Sequence, residues 1–428
     1  MMSTQLDQII TEAFKLPVDG VLYSLSRELS LAYPESYILE TEDAQFDVLD
    51  FARAGKCTIT TAPGGHSEDV WGYDAFSHHE WPTHFNSWNE LVWEGVVFTV
   101  LSVGLRGAHC RDMHHFVLGP SEKEVRALFD AVCRWNSEVR AEVLVFSGRW
   151  NKDRRLYTWM KAASLDTLVL HGDMLEQLKT EFTGFFSSAE LYDKYKIAWK
   201  RGVLFLGPPG NGKTHAIRGL LNLVDKPILY VKSFKDRYAT DHECIYQVFR
   251  RARETAPCIL VLEDLDSLID DGNRAYFLNE MDGFASNRGI LTVATTNHPG
   301  RLDPAILERP SRFDRKYTFS LPNQFIREKY VTVCNDGLEP SLKLRDEEIV
   351  LVAEGTDGFS FAYLKELVLS ALMTWIREPE RSSMARLMLD QVETLRSQMK
   401  TPAPAPAPQT EEVKPDFREI LTRRGLGR

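Results

Sequence analysis

The chain has 428 residues, 43% of them hydrophobic, with 51 basic against 61 acidic side chains for a net charge of −10. That length suggests two or three domains, and the apolar content supports buried cores, which excludes a largely disordered chain. The acidic balance argues against coating nucleic acid by bulk electrostatics, although a local basic stripe stays compatible with it.

Six cysteines (Cys57, Cys110, Cys133, Cys244, Cys258, Cys334) are scattered without a C-x-x-C pair. This is the pattern of reduced thiols in an intracellular compartment. The opening MMSTQLDQIITEAFKLP carries early acids and no apolar core, unlike a signal or transit peptide. The longest uncharged apolar-rich run, 95–105, falls short of the ~20 residues that span a bilayer. A soluble, intracellular, cytoplasmic protein without a transmembrane segment is therefore expected.

Residues 1–165 mix helical patterns with strand-type runs at 97–105 and 142–147. They also hold Trp71, Trp81, Trp88, Trp93, Trp135 and Trp150, expected to pack a core. A mixed α+β domain is expected here. No nucleophile–base constellation stands out, so an adaptor or substrate-docking role is inferred by elimination. Metal-capable side chains occur at His78, His79 and His84 and at His109, Cys110, His114 and His115. They lack metal-ligand spacing and read as surface or core histidines.

From 166 to 323, short apolar runs at 202–206, 228–231, 258–262 and 289–293 alternate with amphipathic helical patterns. Continuous β-rich runs of this kind, each followed by a polar loop, are expected of central strands covered on both faces. The fold class predicted is α/β, a three-layer αβα parallel sheet. Residues 324–400 read as mainly helical, with a long run at 361–378. The TPAPAPAP stretch at 401–408 reads as an extended spacer. The basic segment 417–428 reads either as a docking helix or as a solvated tail.

Immediately after the run ending at Leu206 comes Gly207-Pro208-Pro209-Gly210-Asn211-Gly212-Lys213-Thr214, which fits G-x-x-x-x-G-K-S/T. Glycines let such a loop close on a phosphate with backbone N–H groups pointing inward, and the following helix adds its positive end. Lys213 is placed to neutralise β- and γ-phosphate oxygens, and the Thr214 hydroxyl to ligate Mg²⁺. The run at 258–262 ends in Glu263-Asp264-Leu265-Asp266. Carboxylates at that end of a buried strand lie beside the phosphate loop. One can orient Mg²⁺ and the other polarise the attacking water.

With these residues in view, 168–371 resembles the AAA ATPases. Gly207 to Thr214 resembles the Walker A loop of P-loop NTPases, and 259–266 resembles Walker B. Leu278-Asn279-Glu280-Met281-Asp282-Gly283-Phe284 is similar to the helix before the sensor strand. Thr295-Thr296-Asn297 resembles the sensor-1 segment, with Asn297 in the sensing position. The stretch 302–314 resembles the second region of homology, with Arg309 and Arg312 matching the arginine fingers. Gly358-Phe359-Ser360-Phe361-Ala362 resembles the turn opening the lid helix near the adenine. The resemblance thus implies a helical lid at 324–400, nucleotide contacts from Gly207 through Thr214, His215 and Ala362, and ATP with Mg²⁺ as cofactors. It also implies a hexameric or similar ring in which a neighbour presents the fingers.

The family usually places Asp before Glu after the Walker B strand, whereas here Glu263 precedes Asp264. By position Glu263 assists Mg²⁺ and Asp264 activates water. The inverted order, the Thr296-Asn297-His298 run and a strand-rich domain before the core are similar to the Rieske-protein-translocating mitochondrial subgroup, whose membrane span is not seen here. Asp236 to Asp241 matches by position the loop that carries an aromatic residue into the pore of ring translocases, making Tyr238 the pore-loop candidate. The function expected is a chaperone-like ATP-hydrolysing remodeller or translocase of a protein client. The alternatives are a nucleotide-gated scaffold with little hydrolysis, or a nucleic-acid motor, against which the acidic charge counts.

Overall fold

The computed structural model describes residues 2–61, 67–74, 79–106, 111–237, 239–282, 286–309, 311–378 and 382–400. The chain forms two compact units, Met1–Arg140 and Ala141–Arg428. His78, His109, Cys110, Tyr238, Gly283, Phe284, Pro310, the 401–408 spacer and the 417–428 segment lie outside the described residues.

The first unit is built on a five-stranded antiparallel sheet. Its order is Tyr37–Thr41, Arg111–Gly119, Val96–Arg106, Ser87–Trp93 and Thr58–Thr61. Side chains alternate along a strand, so neighbouring residues serve opposite faces. Leu101 and Val103 join Trp88, Phe116 and the helix residues Leu25 and Leu29 in one core. Phe98 and Val100 join Leu91, Val117 and the helix residues Val125 and Leu128 in the other. Both faces are covered, which is why 97–105 reads as one uncharged, apolar-rich run despite antiparallel pairing. Trp88 is buried, while Trp71 is 65% exposed and stands outside the expected aromatic core.

His115 lies between these layers, with Nδ1 2.9 Å from Ser102 Oγ and its ring edge-on to Phe46. Burial, helped by neighbouring His114, pushes its pKa down to about 4. An unfolded imidazole binds its proton near pH 6.5, so the stability present above that pH is lost as pH falls toward 4. The difference approaches about 3 kcal/mol. Urea unfolding of His115→Asn is expected to lose that much less between pH 6.5 and 4 than wild type, and an identical pH profile would contradict this.

The second unit carries a seven-stranded sheet. Its order is Arg315–Thr318, Lys200–Leu206, Ile290–Thr296, Cys258–Leu262, Ile228–Ser233, Val143–Ser147 and Trp150–Asp153. Every pairing is parallel except the last, where Val143–Ser147 and Trp150–Asp153 form an antiparallel edge. The α/β class stands, with that edge added. One boundary is corrected. Residues 141–165, assigned above to the N-terminal domain, belong to this unit, because Val143–Ser147 pairs with Ile228–Ser233. Trp150 packs on Phe146 within the same sheet.

Core residues Val203, Phe205, Ile217, Leu220, Val261 and Val293 bind the sheet to Lys213–Leu221 and Met174–Ser187. Beyond Arg315–Thr318 the described residues form four α-helices, Gln324–Asp336, Asp346–Gly355, Phe361–Arg377 and Met384–Lys400. They share a core of Val331, Val352, Leu364, Leu367, Met388 and Leu395. Ser360 caps Phe361–Arg377 by accepting from the Tyr363 N–H. No helix among the described residues is long and apolar enough to cross a membrane.

Candidate functional site

The carboxyl ends of Lys200–Leu206, Cys258–Leu262 and Ile290–Thr296 lie side by side in the middle of the sheet. Open α/β sheets bind ligands at such ends, and the loops here carry the polar residues. The loop after Leu206 is shaped by its glycines: Gly207, Gly210 and Gly212 have φ of 141°, 78° and 88°. A Cβ on Gly207 would lie 2.2 Å from the Phe319 carbonyl oxygen. One on Gly210 would lie 2.8 Å from the Ala362 methyl. Only glycine closes this loop against both neighbours.

Lys213 opens the helix Lys213–Leu221 and is 6% exposed. Its ammonium donates to Gly207 O at 2.6 Å, Pro208 O at 2.9 Å and Asn297 Oδ1 at 2.7 Å. All three acceptors lie in the loop or beside it, so the cation is centred in the cradle. Burial pulls its pKa down, and the Asp264 and Asp266 carboxylates oppose that pull. Thr214 follows, exposed, in the first helical turn, and Pro208 and Pro209 are exposed at the loop tip.

Asn297 joins this lysine to the acids, donating through Nδ2 to Asp264 Oδ1 at 2.8 Å. Asp264 has left-handed backbone, φ 51° and ψ 55°, and its N–H is held by Thr295 Oγ at 3.0 Å. Aspartate tolerates that conformation better than most side chains. This gives a physical reason for a short acid second in the Glu263-Asp264 pair. Asp266 accepts from Thr296 Oγ at 2.6 Å. Glu263 points elsewhere, with Oε2 accepting from the Tyr230 hydroxyl at 2.6 Å. Its Oε1 is buried and has no hydrogen-bond partner.

The remaining candidates divide. The Ala362 N–H donates to Gly210 O at 3.0 Å, so the lid helix rests on the phosphate loop. His215 Nε2 is 2.9 Å from Ser164 O and 3.4 Å from Thr167 Oγ. It therefore anchors a strap, 164–168, whose Leu165 and Leu168 lie over Gly219 and Gly212. Asn211 is buried, donates to Phe319 O at 3.2 Å and leaves Oδ1 unpaired. The two arginines part company. Arg312 is buried, donates to Ala305 O and has Nε 3.2 Å from Asp282 Oδ2, an ion pair by distance whose angle makes no hydrogen bond. The Arg309 side chain is 66% exposed and reaches Asp282 only at 3.9 Å.

The sequence reading missed Tyr230, Asp266, the two threonines Thr295 and Thr296, and the strap. Asp266 and the threonines were within motifs already quoted. The Tyr230 and strap contacts span strands and loops distant in the chain.

This cradle is that of a P-loop nucleotide site. The central ammonium and the orphaned oxygens of Glu263 and Asn211 fit ATP with Mg²⁺. Residues 203–321 match the family described as "ATPase family associated with various cellular activities (AAA)", an AAA P-loop domain in that stretch of the chain. The chain is 36% identical over 220 residues to an ATP-dependent zinc metalloprotease FtsH of Acidothermus cellulolyticus, covering 47% of this chain and 32% of the relative. A 26S proteasome regulatory subunit 10B homolog A of Arabidopsis thaliana is 32% identical over 222 residues, covering 48% of this chain and 55% of the relative. The chain thus spans about a third to about half the length of these relatives.

Proposed function

We propose that the protein hydrolyses ATP and uses the cycle, in a hexameric or similar ring, to remodel or translocate a protein client. The observation that carries this reading is the unbroken hydrogen-bonded line Lys213–Asn297–Asp264. It ties the phosphate-binding cation to one carboxylate through a side-chain amide that can report on both. In this reading Gly207 to Thr214, with His215 and Ala362 behind them, hold the nucleotide. Thr214 and the oxygen of Glu263 not bonded to Tyr230 serve the metal, whose charge neutralises phosphate oxygens. Asp264 polarises the attacking water, Asn297 positions it, and Arg309 supplies charge to a neighbouring site.

The client class is proposed from the names of the relatives, a protease and a proteasome regulatory subunit. Tyr238 is kept as the proposed pore-loop aromatic on sequence position alone. Likeness to the Rieske-translocating subgroup likewise rests on sequence, through the Glu263-Asp264 order and Thr296-Asn297-His298.

The test is multiple-turnover phosphate release, with and without added unfolded polypeptides. Wild type is expected to turn over and to be stimulated, and Lys213→Ala to lose both nucleotide binding and turnover. The Glu263-Asp264 order favours one second reading, a nucleotide-gated scaffold. Tight ATP binding without measurable phosphate release would support that reading instead.

A further inference from the structure

We propose that Tyr230 is a positioning residue for Glu263, clamping one carboxylate oxygen so that the other, Oε1, is presented to a magnesium-bound water. The inference rests on the reading of this site as one for ATP with Mg²⁺. Tyr230 lies in Ile228–Ser233, paired in parallel with Cys258–Leu262 and opposite Val261. That register brings its phenol to the level of the acids that follow the neighbouring strand.

The hydroxyl donates to Glu263 Oε2 at 2.6 Å, a short charge-assisted bond. Oε1 is buried without a hydrogen-bond partner, with the Arg218 charge nearby. A buried acceptor of this kind is costly to leave unpaired, and a cation's water completes it.

The clamp also separates two adjacent acids. Glu263 is turned toward Tyr230, while the left-handed backbone of Asp264 turns its carboxylate toward Asn297. A glutamate has a long stem with rotamers to lose, and the phenol removes that freedom before any ligand arrives. Tyr230, Glu263 and Asp264 together line a cleft of about 240 Å³ with Ser233, Lys235 and Ser267.

The test uses the full chain, a fluorescent ATP analogue and titrated free Mg²⁺. In Tyr230→Phe, the Mg²⁺ concentration for half-maximal analogue binding is expected to rise about tenfold, the loss of one hydrogen bond to a charged group. Binding in EDTA is expected to stay at the wild-type value, and the melting temperature to fall by only a few degrees, the loss of one hydrogen bond. Glu263→Gln is expected to raise the Mg²⁺ requirement at least as much, and adding Tyr230→Phe to it to change nothing more. An unchanged Mg²⁺ requirement in Tyr230→Phe overturns the proposal. So does an equal loss of binding with and without Mg²⁺, which marks a packing role. If wild type binds no analogue and matches Lys213→Ala, the nucleotide-site reading itself falls and takes this proposal with it.

Discussion

Replacing Arg309 by alanine is expected to lower ATP turnover about 10³-fold or more while leaving nucleotide binding nearly unchanged. Its side chain is 66% exposed and only loosely held by Asp282, so its removal leaves little uncompensated within the chain. Arg312→Ala is expected to fail differently. That side chain is buried against Asp282 and the Ala305 carbonyl. Deleting it takes from the largely buried Asp282 its buried cation, leaving Ser311 and Lys200 as partners, and costs about 1–3 kcal/mol of stability. Urea unfolding and turnover per folded chain separate the two. Should Arg312→Ala fold as well as wild type and lose turnover as completely as Arg309→Ala, the division of roles between them is wrong.

Asp264→Asn is expected to bind ATP normally and turn it over about 10²–10⁴-fold more slowly, the usual loss on removing a general base. Asparagine keeps the left-handed backbone and the contact with Asn297, so the defect is confined to charge and basicity. Asp264→Glu restores the charge but takes that backbone less readily and reaches a methylene further, so it is expected to recover turnover only in part. Single-turnover hydrolysis of prebound ATP makes the comparison. If Asp264→Asn turns over at the wild-type rate, the polarising carboxylate is another group, with Asp266 and Glu263 the nearest.

The phosphate loop was legible because its chemistry is local. Eight consecutive residues after a strand dictate the backbone, and Gly207 and Gly210 do here what such glycines are expected to do. The four central strands were legible for a similar reason, since both faces are buried and the runs are continuously apolar. The strand Val143–Ser147 was also visible as an apolar run, but its sheet was not. Its partner Ile228–Ser233 lies far along the chain, and nothing local records a parallel pairing across that distance. Tyr230 was hidden for the same reason: its partner Glu263 is set by register between strands. The pairing of Arg312 with Asp282 was equally invisible, because both residues sit in motifs that suggested other roles. Burial separated the two arginines where sequence spacing could not.

The central claim is that one chain's Lys213 and another's Arg309 complete a single site. Mixing two inactive chains tests it most directly. Lys213→Ala lacks the phosphate cation but keeps its arginine, and Arg309→Ala has the reverse. Phosphate release is expected to be negligible for each alone and to recover substantially when the two are co-assembled. No recovery in verified mixed assemblies, or full turnover by Arg309→Ala as a monomer, would contradict the account.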